Sequence, residues 1–268
     1  MNIAGFHHVT ALSGDAQQNV DVYTSVLHLV KRTVNYDDPG THHFYYGDAQ
    51  GSPGSLLTFF PWGHRRKGER GAGQPIEIVL SAPQSVKIPD PDGISVNLVA
   101  QAVSLQGRES SRPFGISSVT ILESNLEASL NLLGKTLGLP QVAPLRFRVA
   151  EDQHIEIRHD PQAPPAKMGA GIPHHIAFRI GSEDDLQAWR AHLIQAGLRV
   201  STIRDRHYFH SVYFKHPGGT LFELATDGPG FAIDESADLL GKSLCLPPWL
   251  EPHRPEIEAR LTPVQFPT

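Results

Sequence analysis

Two histidine pairs and one carboxylate, each set among apolar residues, carry the chemistry of this sequence. His7-His8 lies in Gly5-Phe6-His7-His8-Val9-Thr10, His174-His175 lies in Ile172-Pro173-His174-His175-Ile176-Ala177-Phe178, and Glu223 interrupts Thr220-Leu221-Phe222-Glu223-Leu224-Ala225. A buried carboxylate without a partner is costly, so Glu223 needs a cation. Strand alternation puts Phe6, His8 and Thr10 on one face and points His7 away. Superposing the second histidine pair on the first brings His175 to the place of His8. Two neutral imidazoles and one carboxylate on one side of a metal form the facial arrangement of non-haem Fe(II) oxygen chemistry, which leaves positions for substrate and O₂. The expected metal ligands are therefore His8, His175 and Glu223, with Fe(II) favoured and Mn(II) an acceptable substitute.

Internal repeats supply the elements that would bring these residues together. Gly5-Phe6-His7-His8-Val9-Thr10 matches Gly115-Ile116-Ser117-Ser118-Val119-Thr120, and the segment around His174-His175 is a third version. Each opening is followed by a stretch of helical period, over 16–29, 125–137 and 182–196, with Gly138 and Gly197 suited to C-terminal caps. Strand-like runs follow at 41–46 and 55–60 in the first copy and at 207–214 and 220–225 in the last. The unit reads as βαβββ, with full modules over 5–61, 115–160 and 172–227. Residues 75–103 keep a first and a last strand, but only about a dozen Pro- and Asp-rich residues separate them. That span is too short for a helix and two strands, so this second module is expected to have lost its helix. The chain divides into an N-terminal half, 1–108, and a C-terminal half, 109–268, which includes a tail after Asp227. Pseudo-twofold pairing of modules one and four would unite their first strands.

The repeat also provides an internal control. Aligning Gly54-Ser55-Leu56-Leu57-Thr58 with Gly219-Thr220-Leu221-Phe222-Glu223 puts Thr58 where a symmetric fourth ligand would stand, and threonine is not an equivalent ligand. In the third copy Ser117 and Ser118 replace the histidine pair, so only Glu156 survives of a site there. Composition narrows the remaining classes. A net charge of -5 gives no general basic surface for nucleic acid. The apolar runs are too short to span a membrane. The single cysteine, Cys245, cannot form an internal disulfide and is expected to be inert. A reducing, cytoplasmic setting is the expectation. Arg65-Arg66-Lys67 reads as a solvated loop, and Trp249 as packing the tail onto the body.

Taken together, these segments resemble the vicinal oxygen chelate (glyoxalase/bleomycin resistance/extradiol dioxygenase) superfamily, and within it the ring-cleaving dioxygenases that act on hydroquinones. The run from Asp205 through Arg206, Phe209 and Tyr213 to Phe214 belongs to the likeness, as do Asn35-Tyr36-Asp37-Asp38-Pro39-Gly40-Thr41 and Asp227-Gly228-Pro229-Gly230-Phe231. The resemblance implies metal ligation by His8, His175 and Glu223, a pocket lined by Arg206 and Tyr213, Thr10 close to the metal, and His174 beside the ligands. Tyr213, Arg206 and His174 are the catalytic candidates; Thr10, His7, Arg206 and Tyr213 are the substrate-binding candidates. The shortened second module departs from the usual pattern and bears on how modules two and three pair.

The expected architecture is α+β: paired βαβββ modules with mixed, curved sheets around a metal-holding cup. The expected activity is cleavage of a dihydroxylated aromatic ring, hydroquinone or catechol, by O₂, in a chain that associates with neither nucleic acid nor membrane and has scope to form a homo-oligomer. Two other readings use the same fold: a glyoxalase-type metal isomerase, against which Thr58 speaks, and a non-catalytic protein that binds a small aromatic compound.

Overall fold

The computed structural model of the protein describes residues 1–63, 66–100 and 115–267. The expected boundary at 108/109, the last residues of the second module (101–103) and Arg65 lie outside the described residues. Module one runs β1 (Phe6–Ser13), α1 (Ala16–Thr24), β2 (His28–Asn35), β3 (Asp38–Gly47) and β4 (Leu56–Pro61). Asp15 caps α1 by accepting from the Gln18 amide at 2.8 Å, and Ala16, Asn19, Val20 and Tyr23 form its buried stripe. The helix ends at Thr24 instead of continuing to residue 29. The Thr24 and Ser25 hydroxyls donate to the carbonyls of Val20 and Val22, both at 2.6 Å, and compete with further helical turns. Val30, Thr33 and Val34 then favour the strand that the helical reading of 16–29 overlooked.

The second module has β5 (Gln74–Ala82), β6 (Val86–Lys87) and β7 (Val96–Ala100), and its described residues contain no helix, as the short spacing required. Module three runs β8 (Gly115–Glu123), α2 (Leu126–Leu130), a π-helical turn at Asn131–Thr136, β9 (Gln141–Ala143), β10 (Arg146–Ala150) and β11 (Gln153–His159). Module four runs β12 (Ile172–Ile180), α3 (Glu183–Gln195), β13 (Arg204–Asp205), β14 (Phe209–Lys215) and β15 (Leu221–Pro229), and the tail adds α4 (Arg254–Arg260). Gly138 and Gly197 follow their helices with φ of 68° and 84°, the left-handed conformation that such caps need. No helix among the described residues is long and apolar enough to cross a membrane.

Two sheets result. The eight-stranded sheet has the order β13-β14-β15-β12-β1-β4-β3-β2 and joins modules four and one through the antiparallel β1–β12 pair. The seven-stranded sheet, β6-β7-β5-β8-β11-β10-β9, joins modules two and three in the same way through β5–β8. The loss of the helix therefore leaves the pairing of modules two and three intact. In the larger sheet β1 runs parallel to β4, and β12 runs parallel to β15, so a pseudo-twofold axis passes between β1 and β12. Phe6, Val9, Leu57, Ile176, Phe178 and Phe222 enter one continuous core with α1 and α3. Each large apolar side chain buried there contributes roughly 1.5–3 kcal/mol.

The β14–β15 turn is tied to the smaller sheet. His216 N donates to the Thr220 carbonyl and Gly219 N to the His216 carbonyl, each at 2.8 Å. The Thr220 hydroxyl donates to Glu123 Oε1 at 2.5 Å, from the end of β8. A Cβ on Gly218 would overlap the Glu123 carboxylate. Gly218→Ala is expected to cost about 1–3 kcal/mol and to lower the midpoint of thermal unfolding by several degrees. An unchanged midpoint in thermal denaturation would show that this tie is not strained by the added methyl.

Candidate metal centre

Both histidine pairs sit at β-bulges. Along the β1–β12 ladder, Phe6 pairs with Phe178 but His8 pairs with Ala177, which leaves His7 as the extra residue; further on, Thr10 pairs with His175 but Ala11 with Pro173, which leaves His174 extra. A bulge breaks strict alternation and re-aims its side chains. Phe6 consequently faces the core, stacked on Phe178 at 5.8 Å, and does not share the face of His8 and Thr10. His7 does not point away either: its Nδ1 lies 2.8 Å from Nδ1 of His8. His174 Nδ1 lies 2.7 Å from Nδ1 of His175 in the pseudo-symmetric arrangement.

His8 Nε2 and His175 Nε2 are 3.0 Å apart, and Glu223 Oε2 lies 3.3 Å from the first and 3.0 Å from the second. Metal–donor bonds of roughly 2.1 Å place adjacent donors about 3.0 Å apart at right angles and about 3.4 Å apart in a tetrahedron. The observed edges suit three mutually adjacent positions of a six-coordinate ion. Glu223 is wholly buried, and the imidazoles touch its carboxylate without hydrogen-bond alignment, so neither oxygen has a hydrogen-bond partner among the described residues. A buried carboxylate in that state is costly unless a cation meets it. Burial alone would push the Glu223 carboxyl up, but His8 and His175 outweigh it and hold the group well below the usual range. Burial lowers His175, favouring the neutral imidazole that a metal requires.

The outer histidines fix the inner ones. With Nε2 of His8 and His175 turned to the centre, each Nδ1–H donates to Nδ1 of its predecessor, a tautomer inferred from the network. Burial and the adjacent His8 lower His7 to about 3, and burial and His175 do the same to His174. Both stay neutral and able to accept. Thr58 stands opposite Thr10, two residues past His8, just as Glu223 stands opposite Ala177, two residues past His175. The symmetric fourth position is therefore a threonine, bonded to the Thr10 hydroxyl at 2.7 Å and to His43 Nε2 at 3.0 Å.

A cavity of about 250 Å³ opens beside His8 and His175. Leu12, Phe60, Trp62 and Phe209 give it apolar walls, and His43, His174, Arg206 and Tyr213 give it polar ones. Engineered cavities of about 150 Å³ take up benzene, so this volume suits one substituted ring. Tyr213 pairs with Glu223 across β14–β15, and its ring stands perpendicular to His175 at 5.8 Å. Burial and Glu223 raise its pKa, against Arg206, and keep the phenol protonated. Arg206 donates from Nε to the Tyr213 hydroxyl at 3.2 Å and from its NH1 nitrogen to Asp37 at 3.1 Å, instead of pairing with Asp205. Burial opposes its charge, but Tyr213, Asp37 and Glu223 outweigh burial and raise its pKa.

Thr10 and His7, expected at the substrate, are buried behind the cavity wall and are not among its lining residues. His43 and Tyr45 line it and were overlooked. Tyr45 pairs with Thr58 as Tyr213 pairs with Glu223, so the repeat held a signal for Tyr45, whereas His43 falls on Ser211 of the last copy and is marked only by its own pair, His42-His43. Asp37 also lines it, from the β2–β3 turn. Elsewhere, Asp234, Glu235 and Cys245 converge, but Lys31 Nζ already occupies that cluster at 2.6, 2.6 and 3.6 Å. A lysine thus does lie beside Cys245, yet burial outweighs it and pushes the thiol up to about 11, consistent with an inert group. Arg66 and Lys67 are exposed, and Trp249 meets the rings of Tyr36 and His207 at 5.8 and 6.0 Å.

Comparison with known proteins bears on the family and the fold. A family model described as Glyoxalase/Bleomycin resistance protein/Dioxygenase superfamily matches residues 115–224. The chain is 35% identical to a protein of Bacillus subtilis (strain 168) that bears the provisional name ring-cleaving dioxygenase MhqO, over 97% of this chain and 96% of that one. It is 27% identical to the chlorohydroquinone/hydroquinone 1,2-dioxygenase of Sphingobium indicum, over 95% of each. A crystal structure of a protein provisionally described as a dioxygenase, from Bacillus subtilis subsp. subtilis str. 168, superposes with a TM-score of 0.90 at 35% identity, over 99% of both chains.

Outer partners of metal-bound histidines commonly affect metal affinity by about 10- to 100-fold. In a competitive chelator titration, His7→Ala is expected to weaken Fe(II) binding within that range, and Glu223→Ala to abolish retention. Wild-type affinity in Glu223→Ala would exclude the carboxylate as a ligand.

Proposed function

Because this chain belongs to the Glyoxalase/Bleomycin resistance protein/Dioxygenase superfamily, we propose that it is a metal-dependent dioxygenase that opens a dihydroxylated aromatic ring, of hydroquinone type, with O₂. The observation that carries this reading is the set of three protein donors, two of which, His8 and His175, line a cavity sized for one ring, with Thr58 in the fourth symmetric position. His8, His175 and Glu223 would hold the ion, Fe(II) in preference to Mn(II). When bound, it would supply redox capacity and open positions for a substrate oxygen and for O₂.

The chain's own residues bind, orient and move protons. Leu12, Phe60, Trp62 and Phe209 desolvate the ring, which fixes its plane and limits water at the reacting carbons. The Tyr213 phenol, protonated and braced by Arg206, is placed to donate to oxygen where negative charge develops. His174 borders the cavity as a neutral imidazole whose Nδ1 is engaged by His175, which leaves its Nε2–H to donate a hydrogen bond to a substrate oxygen or to solvent. Thr10 acts from behind by bonding Thr58, and His7 by orienting His8. A glyoxalase-type isomerase would lack its second carboxylate here, and a binding protein would have no use for the unbonded oxygens of Glu223.

The test is oxygen uptake by protein loaded anaerobically with Fe(II), with hydroquinone and catechol as substrates. Consumption of one O₂ per ring, with hydroquinone preferred, is expected, and Tyr213→Phe should lower kcat by roughly 10²-fold. Conversion of a thiol adduct without oxygen uptake would indicate an isomerase. Tight association without product would indicate a binding protein.

A further inference from the structure

Among the described residues that line the cavity, Arg206 is the only lysine or arginine. Its side chain is 17% exposed, whereas that of its partner Asp37 is 69% exposed. A guanidinium at an apolar cavity would ordinarily be the anchor for a carboxylated ring, since it matches a carboxylate with two parallel hydrogen bonds. Here the anchor is already engaged. Its NH1 nitrogen donates to Asp37 Oδ2 at 3.1 Å, and its Nε donates to the Tyr213 hydroxyl at 3.2 Å. The pair reaches across 169 residues, from the β2–β3 turn of module one to the β13–β14 connection of module four. Asp37 is held in place locally, because its amide donates to Asn35 Oδ1 at 3.0 Å.

We propose that Asp37 sets the charge selectivity of the cavity: by neutralising Arg206 at the cavity edge it admits uncharged ring diols and excludes rings that carry a carboxylate, an inference that rests on the ring-cleavage reading for its physiological meaning. A ring carboxylate approaching Arg206 has to displace Asp37 and then face it as a like charge, so rejection is built from repulsion as well as from a lost partner. Uncharged hydroquinone meets neither obstacle. Its hydroxyls need only the Tyr213 phenol and the metal side of the cavity, which the Asp37–Arg206 pair leaves accessible. The exposure of Asp37 lets solvent and salt screen its charge, which limits the discrimination to about 10- to 100-fold at low ionic strength.

The test compares equilibrium binding of hydroquinone and of 2,5-dihydroxybenzoate, without oxygen, by calorimetry on the full chain in metal-loaded and metal-free forms. The measured quantity is the ratio of the two dissociation constants, carboxylated ring over neutral ring. In Asp37→Asn this ratio is expected to fall at least tenfold from its wild-type value, and in Asp37→Glu, which keeps the charge, to stay within threefold. Asp37→Ala repeats the measurement without an amide that could itself bond Arg206. A ratio that is the same in wild type, Asp37→Asn and Asp37→Ala would overturn the proposal. The outcome is separable from that of the ring-cleavage reading. A shifted ratio in a protein that consumes no oxygen with either ring would uphold charge selection and reject ring cleavage, whereas brisk oxygen uptake with hydroquinone and an unmoved ratio would do the reverse.

Discussion

A negative charge in the centre of a sheet, with no hydrogen bond to quiet it, is the constraint around which this molecule is arranged. Glu223 is fully buried between β12 and β14, and the two imidazoles beside it, His8 and His175, approach without bonding geometry. Such a carboxylate is tolerable in a folded protein only if a cation completes its surroundings. The same requirement explains why burial keeps His175 neutral and why each inner histidine is braced by an outer, neutral one. The arrangement favours a divalent ion at one point and leaves little freedom for the side chains around it.

Symmetry supplies the means and asymmetry supplies the function. Duplication of the βαβββ unit brings β1 and β12 side by side, and a bulge in each turns two consecutive histidines toward one centre. Were the symmetry complete, Thr58 would be a second carboxylate and the ion would be held by four protein groups. The threonine instead bonds Thr10 and His43, so that this quarter of the site is closed by buried hydroxyls that support His43 at the cavity wall. A related divergence separates the two sheets. The smaller one keeps the module pairing but has serines where the larger has histidines, and it serves the site by anchoring the β14–β15 turn through Glu123.

The convergence of His8, His175 and Glu223 was legible in the sequence because repetition singles these residues out: a lone histidine in a strand says little, but equivalent pairs in two copies and a carboxylate in a third segment say much. Strict alternation nevertheless assigned the wrong neighbours. It placed Phe6 with His8 and turned His7 away, since a bulge depends on ladder register between distant strands and leaves no local mark. The strand β2 was hidden because Val26, Leu27, Leu29 and Val30 also satisfy helical spacing, and only the hydroxyls of Thr24 and Ser25 end the helix in time. Tyr45 was recoverable from the repeat, and His43 from its own histidine pair with His42. Asp37 was not, because its meaning arises from a contact with Arg206 that no local pattern encodes. In the second module the short spacing set an upper bound on what the segment can form, and its described residues hold β5 and β7 with the two-residue strand β6 between them, which the spacing did not reveal.

The three-donor centre is tested most directly by anomalous diffraction at the iron edge, from crystals of the full chain loaded anaerobically with Fe(II). A single strong peak is expected within bonding distance of His8 Nε2, His175 Nε2 and Glu223 Oε2 together. A peak beside Asp234, Glu235 and Cys245, or none between the two histidines and Glu223, would contradict it.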